Sequence, residues 1–211
     1  MPRKKPATAR RPRRPAQPRH LTALDIPPPA RRRLDPAMQK YFAVCEEKLG
    51  HLPNVLLAYS AHGAKLQHFV SFYNELMFGN SELSTLEREM IAVTVSSANH
   101  CYYCLVAHGA AVRQLSGDPA LGEVLVMNYR AARLDARERA MLDFAHKLTV
   151  APRDVGEEDR AALRRAGFSE RAIWDIAEVA AFYNFTNRLA GATDMMPNEV
   201  YHAQARGPAG G

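Results

Sequence analysis

The sequence lacks the cysteines that a small disulfide-stabilised protein needs. It has three in 211 residues, and an odd number does not form a disulfide framework. It also lacks an apolar segment after its N-terminal arginines, so those arginines do not begin a secretory signal. Because both absences favour a reducing compartment, we expect the protein in the cytoplasm.

Strand signals are almost absent as well. The one β-branched stretch, Ile91 to Val95, falls inside a segment that opens with the strong helix-capping pair Ser84 and Glu87. Helix start and stop signals follow one another along the rest of the chain. They predict helices over residues 35–50, 54–62, 64–78, 84–98, 100–116, 118–128, 135–149, 154–166 and 169–190. We therefore predict an all-α fold, a single-domain helical bundle.

The excess positive charge is confined to the first residues of the chain. Residues 1–35 hold 11 basic and 2 acidic residues, whereas residues 36–211 carry a net charge of −3. The overall charge of +6 is therefore no evidence that the folded part binds nucleic acid.

Residues 1–35 also hold 8 of the 14 prolines, so we predict a disordered basic tail there. We predict the helical domain over residues 36–205 and a flexible C-terminus at 206–211. The tail either keeps the protein soluble or binds acidic partners or nucleic acid weakly. The absence of interleaved aromatic residues favours the first role.

A stretch of 23 residues, Met90 to Val112, contains no Asp, Glu, Lys or Arg. It is long enough to span a bilayer. However, serines, histidines, tyrosines and cysteines are spread through it, and a lipid-facing helix does not carry that polar density. We therefore expect the stretch to be buried in protein, and we expect no membrane partner.

Cys101, Cys104 and His108 form the motif that carries chemistry. At 100° per residue on a helix, the three side chains fall within an arc of about 80°. The cysteines lie at the predicted start of that helix, where free N–H groups and the helix dipole favour a thiolate. We expect a lowered thiol pKa there, and a further lowering by an adjacent imidazolium.

Glu89 lies twelve residues before Cys101, in the preceding predicted helix. A short link at Asn99-His100 turns the chain back, so that the two helices pack on each other. That arrangement joins Glu89, His108 and Cys104 in a proton relay. His100 adjoins Cys101 and is a supporting candidate, although its place in the link favours a structural role.

Three other interpretations stay open for these residues. Cys101, Cys104 and His108, with Glu89, are suitable zinc ligands, although three ligands on one helix are unusual for structural zinc. The cysteines could instead be inert core residues, and Glu89 could be an exposed helix residue. Cys45, outside the motif, is interpreted as structural.

The last predicted helix carries a polar stripe among aromatic and apolar residues. Asn184, Asn187 and Arg188 stand three and four residues apart on it. Because buried polar side chains need partners, the candidates are a neighbouring subunit, another helix end and the site, and we favour an interface or a structural role.

The spacing Glu89-x11-Cys101-x2-Cys104-x3-His108, on two consecutive helices, resembles the alkyl hydroperoxidase D-like branch of the carboxymuconolactone decarboxylase-like superfamily. It is most similar to the branch of peroxidase-related proteins, and the resemblance covers residues 36–205. It implies a thiol peroxidase without a prosthetic group or metal. Cys104 would be the peroxidatic thiol, Cys101 the resolving thiol, and His108 and Glu89 the proton relay.

The resemblance also implies a homo-oligomer, a trimer or a hexamer. Tyr103 is a departure from the pattern, because the best-studied members carry His at this position. The change removes one relay member and makes Tyr103 a second supporting candidate.

We therefore predict a thiol-dependent alkyl hydroperoxide reductase with an antioxidant role. Its partners would be a small hydroperoxide and an unidentified thiol or dithiol reductant. The alternative is a redox-sensing module or a general disulfide oxidoreductase with incidental peroxide reactivity.

Overall fold

The computed structural model describes residues 16–207 and confirms the all-α prediction. This part of the chain forms nine α-helices and four short 3₁₀ turns, and it contains no strand. The α-helices are α1 (Pro36–Leu49), α2 (Asn54–Ser60), α3 (Ala64–Phe78), α4 (Thr85–Ala98), α5 (Tyr102–Ser116), α6 (Pro119–Asn128), α7 (Ala136–Val150), α8 (Glu157–Arg165) and α9 (Glu170–Ala192).

Local capping explains where these helices begin and end. The Asp35 side chain accepts the N–H of Ala37 at the start of α1, with proline in the first turn. Ser84 and Glu87 form the predicted reciprocal capping box of α4. Helix α5 ends at Gly117, whose φ of +66° is readily adopted only by glycine.

Helix α4 is the centre of the bundle. Its residues Arg88 to Ser96 are all buried, and α5, α6, α7 and α9 pack around it. A helix that is apolar on nearly every side is stable only inside protein. The expected burial is therefore confirmed for Met90 to Ser96, whereas His100 and Tyr102 of the same uncharged stretch are exposed. In the part of the chain that the structure describes, no helix is long and apolar enough to cross a membrane.

Among the described residues, the apolar interior is divided into three clusters. The main cluster joins the end of α3 to α4–α9. A second cluster holds α1 and α2 against the start of α3, through Met38, Phe42, Cys45, Leu56, Tyr59, Leu66 and Val70. A third consists of Cys101, Tyr103, Cys104, Ala190 and Met195. Helices α1 and α2 are therefore held apart from the main core.

The segment before α1 has contacts that the disorder prediction did not anticipate. Ala23 N–H donates to Thr193 O at 2.8 Å, and Leu21 O accepts from Met196 N–H at 3.2 Å. Arg31 forms an ion pair with Glu46 of α1 at 2.7 Å. These contacts hold residues 21–31 against the segment that follows α9 and against α1. Residues 1–15 and 208–211, the remainder of the predicted termini, lie outside the described residues.

Candidate active site

The two motif cysteines lie at the start of α5. His100 takes a left-handed backbone conformation with φ +53°, so the chain reverses between α4 and α5 within a few residues. Cys101 directly precedes the first turn of α5, and its N–H donates to Ser96 O at 3.0 Å. Cys101 and Cys104 are free thiols, only 4% and 3% exposed. His100 itself is exposed, so the structure places it in the turn and not beside the thiols.

The two thiols interact, and only one of them gains acidity. The hydrogen bond from the Cys104 side chain is the main cause that lowers the pKa of Cys101 to about 7, and His108 adds to it. The same hydrogen bond and burial raise the pKa of Cys104 well above its ordinary range. The expected lowering therefore holds for Cys101 and is wrong for Cys104. The pair loses one proton near neutral pH and shares the other, which argues against inert core cysteines.

A buried carboxylate and an imidazole form the second part of the site. Glu89 Oε2 and His108 Nδ1 are 2.6 Å apart, and their side chains are 5% and 13% exposed. Because a carboxylate accepts, Nδ1 carries the hydrogen of this bond, and Nε2 has no hydrogen-bond partner among residues 16–207. The Tyr183 ring packs edge-to-face against the His108 ring, with 4.7 Å between the two ring centroids. The alternative that Glu89 is an exposed helix residue is wrong.

Tyr103 connects the thiols to the beginning of α2. It is 5% exposed and packs in one cluster with Cys101 and Cys104. Its hydroxyl accepts the Val55 N–H at 3.1 Å. Burial raises the pKa of Tyr103 well above its ordinary value. The residue is therefore a neutral phenol at physiological pH and does not take protons as a histidine would.

Asn187 belongs to the site, although the sequence analysis placed it at an interface or in a structural role. Its Nδ2 donates to Ser96 Oγ at 2.9 Å, and its Oδ1 accepts from Asn99 Nδ2 at 3.0 Å. The Asn187 amide lowers the pKa of both cysteines, an effect smaller than those of the thiol–thiol interaction and of burial. An interface role is excluded because Asn187 is 3% exposed. An amide on the apolar face of a long helix was the signal available in the sequence.

A cavity of about 720 Å³ lies where the three apolar clusters meet. Glu89, Cys104 and His108 line it, whereas Cys101 is not among the lining residues. Cys45 forms part of the wall contributed by α1. The aromatic lining consists of Tyr41, Tyr59, Phe69, Tyr73, Phe78, Tyr103, Phe182, Tyr183 and Tyr201. A cavity of this size with an apolar wall and few polar groups is typical of a small-molecule site.

The residues that suggested zinc do not form a metal-binding cluster. Glu89 is hydrogen-bonded to His108, and Cys101 and Cys104 are free, buried thiols. Within residues 16–207, no three His, Cys, Asp or Glu side chains are placed to hold a metal ion.

Comparisons with known proteins agree with the resemblance seen in the sequence. The sequence profile described as "Carboxymuconolactone decarboxylase family" matches residues 64–147. No curated protein sequence matches the chain significantly.

Solved structures extend the similarity to most of the chain. An uncharacterized peroxidase-related protein from Silicibacter sp. TM1040 is 61% identical, with a TM-score of 0.86, over 90% of this chain and 99% of its own. An alkylhydroperoxidase AhpD core, an uncharacterized peroxidase-related protein from Ralstonia eutropha JMP134, is 35% identical, with a TM-score of 0.85, over 92% and 100%. The debrominase Bmp8 is 24% identical, with a TM-score of 0.73, over 86% and 96%, which shows the fold alone.

Proposed function

Because this chain belongs to the carboxymuconolactone decarboxylase family, with the peroxidase-related proteins of the alkylhydroperoxidase AhpD type, we propose that it reduces organic hydroperoxides with Cys101 and Cys104. One observation carries the proposal. A dithiol that loses a proton near neutral pH opens, through Cys104, on a large apolar cavity that also contains the Glu89–His108 pair. The cavity is far larger than hydrogen peroxide requires, which favours an organic hydroperoxide.

The first step prepares the nucleophile. His108 Nε2 takes a proton from the thiol pair, and the Glu89 carboxylate, 2.6 Å from Nδ1, stabilises the resulting imidazolium. Cys101 is the more acidic thiol, but Cys104 is the one that lines the cavity. When the shared proton moves to Cys101, the thiolate on Cys104 faces the substrate. Cys101 is therefore the thiol that ionises first, and Cys104 is the thiol that the substrate can reach.

The Cys104 thiolate then attacks the terminal oxygen of the hydroperoxide. A sulfur–oxygen bond forms, the O–O bond breaks, and the leaving alkoxide becomes an alcohol with the proton held by the relay. The Cys101 thiol attacks the sulfenic sulfur, so that a disulfide forms and water leaves. A thiol or dithiol small enough to enter the cavity must reduce that disulfide in each cycle.

Thiol counting tests the proposal directly. Reduced protein without added reductant is mixed with one equivalent of cumene hydroperoxide, and free thiols and cumyl alcohol are measured. We expect the thiol count to fall from three to one and one alcohol to form per chain. Cys45→Ser is the matched control, because it should show the same loss of two thiols. Loss of no thiol, or alcohol formation without thiol loss, would contradict the proposal.

The alternative function is a general disulfide oxidoreductase or a redox sensor. The burial of both thiols argues against it, because a disulfide of another protein cannot easily reach sulfur atoms that are 4% and 3% exposed. Faster oxidation by glutathione disulfide than by cumene hydroperoxide would favour this alternative. The antioxidant role, the cytoplasmic location and the trimer or hexamer remain predictions.

A further inference from the structure

The Tyr103 hydroxyl has a bonding capacity that the fold does not use. A phenol both accepts and donates a hydrogen bond. The Val55 N–H occupies its accepting side, at 3.1 Å. Within residues 16–207, no side chain or carbonyl accepts the Tyr103 proton. Since Tyr103 lines the cavity, its unused hydroxyl proton is available to an acceptor on a ligand.

The position of this donor relates it to the reacting sulfur. Tyr103 directly precedes Cys104 on α5, both residues line the cavity, and both pack in the cluster with Cys101. Val55, which holds the hydroxyl, packs against that same cluster. A peroxide whose terminal oxygen meets the Cys104 sulfur therefore has its second oxygen within the same part of the cavity.

We propose that Tyr103 donates a hydrogen bond to the oxygen that leaves when the peroxide O–O bond breaks. This inference rests on the proposed hydroperoxide reduction. As the Cys104 sulfur bonds the terminal oxygen, the electron pair of the O–O bond moves onto the second oxygen. Tyr103 stabilises that developing alkoxide, which becomes the alcohol with the proton that His108 took from the thiol pair. Tyr103 ends the step as a phenol.

A hydrogen-bond donor at this position in the cavity wall would lower the barrier to breaking the O–O bond. An alkoxide is a strongly basic leaving group, and an apolar cavity does not solvate its charge. A fixed donor aimed at a developing oxyanion contributes about 10²–10³-fold in rate. The Glu89–His108 pair first holds the thiol proton, so a separate fixed donor at the second oxygen stabilises its charge until that proton is transferred. The burial that keeps Tyr103 protonated also keeps its donation independent of pH in the neutral range.

Leaving-group dependence tests the proposal. Thiol oxidation by cumene hydroperoxide, which releases an alkoxide, is compared with oxidation by peroxybenzoic acid, which releases a weakly basic carboxylate. Both oxidants carry an aromatic ring, so their fit to the cavity is similar. Tyr103→Phe should lower the cumene hydroperoxide rate by about 10²-fold and change the peroxybenzoic acid rate little. Its rate of alkylation by iodoacetamide should stay that of the unmodified protein, because no oxyanion leaves.

Tyr129→Phe is the matched control, since it removes the same hydroxyl from a buried tyrosine that is not part of the cavity lining. The ratio of the two oxidation rates is measured within one preparation, so partial unfolding lowers both rates alike. If Tyr103→Phe does not fold, Tyr103→Leu removes the same donor, and the same ratio decides. An unchanged ratio, or an equal change in Tyr129→Phe, overturns the role of Tyr103. If the unmodified protein does not reduce cumene hydroperoxide at all, the proposed function fails instead.

Discussion

Replacing Glu89 by Gln removes the negative charge from the buried pair while leaving an oxygen that can still accept from His108. The carboxylate lies 2.6 Å from His108 Nδ1, and both side chains are largely buried. The imidazolium that forms when His108 takes a thiol proton then has no counter-charge. We expect the fold to survive, because Gln has almost the same shape as Glu, and thiol oxidation to slow.

The hydrogen bond between Glu89 and His108 determines how much the oxidation rate should fall in Glu89→Gln. A hydrogen bond to a charged group is worth about 1.5–3 kcal/mol, and each 1.36 kcal/mol is about tenfold in rate. The contact alone therefore predicts a loss of roughly 10–150-fold. General base catalysis typically contributes about 10²–10⁴-fold. The two estimates overlap near 10²-fold, which is the loss we expect where the thiols are protonated.

The loss should depend on pH in one direction. Because the pKa of Cys101 is lowered to about 7, the dithiol is mostly protonated at about pH 6 and mostly ionised at about pH 9. Below pH 7 the reaction needs a proton acceptor, so Glu89→Gln is slow there. Above pH 8 the thiolate is already present, and the difference from the unmodified protein should shrink.

The assay is rapid mixing of reduced protein with cumene hydroperoxide, followed by acid quenching and thiol counting, from about pH 6 to about pH 10. Glu47→Gln makes the same chemical change at an exposed position on α1 and should follow the unmodified protein. Superimposable pH profiles for Glu89→Gln and the unmodified protein would refute the relay. A deficit of equal size at every pH would also refute it, since that pattern means Glu89 only organises the site.

Three further predictions follow from the same contacts. Cys104→Ser should abolish hydroperoxide consumption, whereas Cys101→Ser should stop at a sulfenic acid on Cys104. Dimedone labelling and mass spectrometry detect that acid. The opposite pattern would exchange the roles of the two cysteines. Asn187→Leu should raise the thiol pKa from about 7, because an amide donor is lost, and an unchanged pH profile of iodoacetamide alkylation would contradict this. Removing residues 1–34 should cost roughly 1–3 kcal/mol more stability than removing residues 1–15, since two backbone hydrogen bonds to the α9 end are lost. Equal urea midpoints for the two deletions would disprove that estimate.

Local sequence determined the helices of this protein. The prediction for residues 64–78 coincides with α3, and those for α1 and α4 differ from the structure at their terminal residues only. Capping residues and left-handed glycines act within one turn of the chain, so their effect can be derived from neighbouring residues. The common face of Cys104 and His108 follows from the same local helix geometry.

The contact between Glu89 and His108 was also accessible from sequence, because a short link brings consecutive helices together. The contacts of residues 20–34 were not, since their partners lie at the other end of the chain. The same holds for Asn187, which reaches Ser96 from 91 residues away.

Tertiary structure alone decided how the environments of the two cysteines differ. In sequence both stand at the start of one helix, and the helix dipole favours a thiolate at either. Packing gives Cys101 the hydrogen bond that lowers its pKa and gives Cys104 the place in the cavity wall. Residues of the main core and of the separate cluster that α1 and α2 form together line that cavity. The burial and solvent access of a side chain depend on residues that are distant in sequence, so no local sequence pattern predicts them.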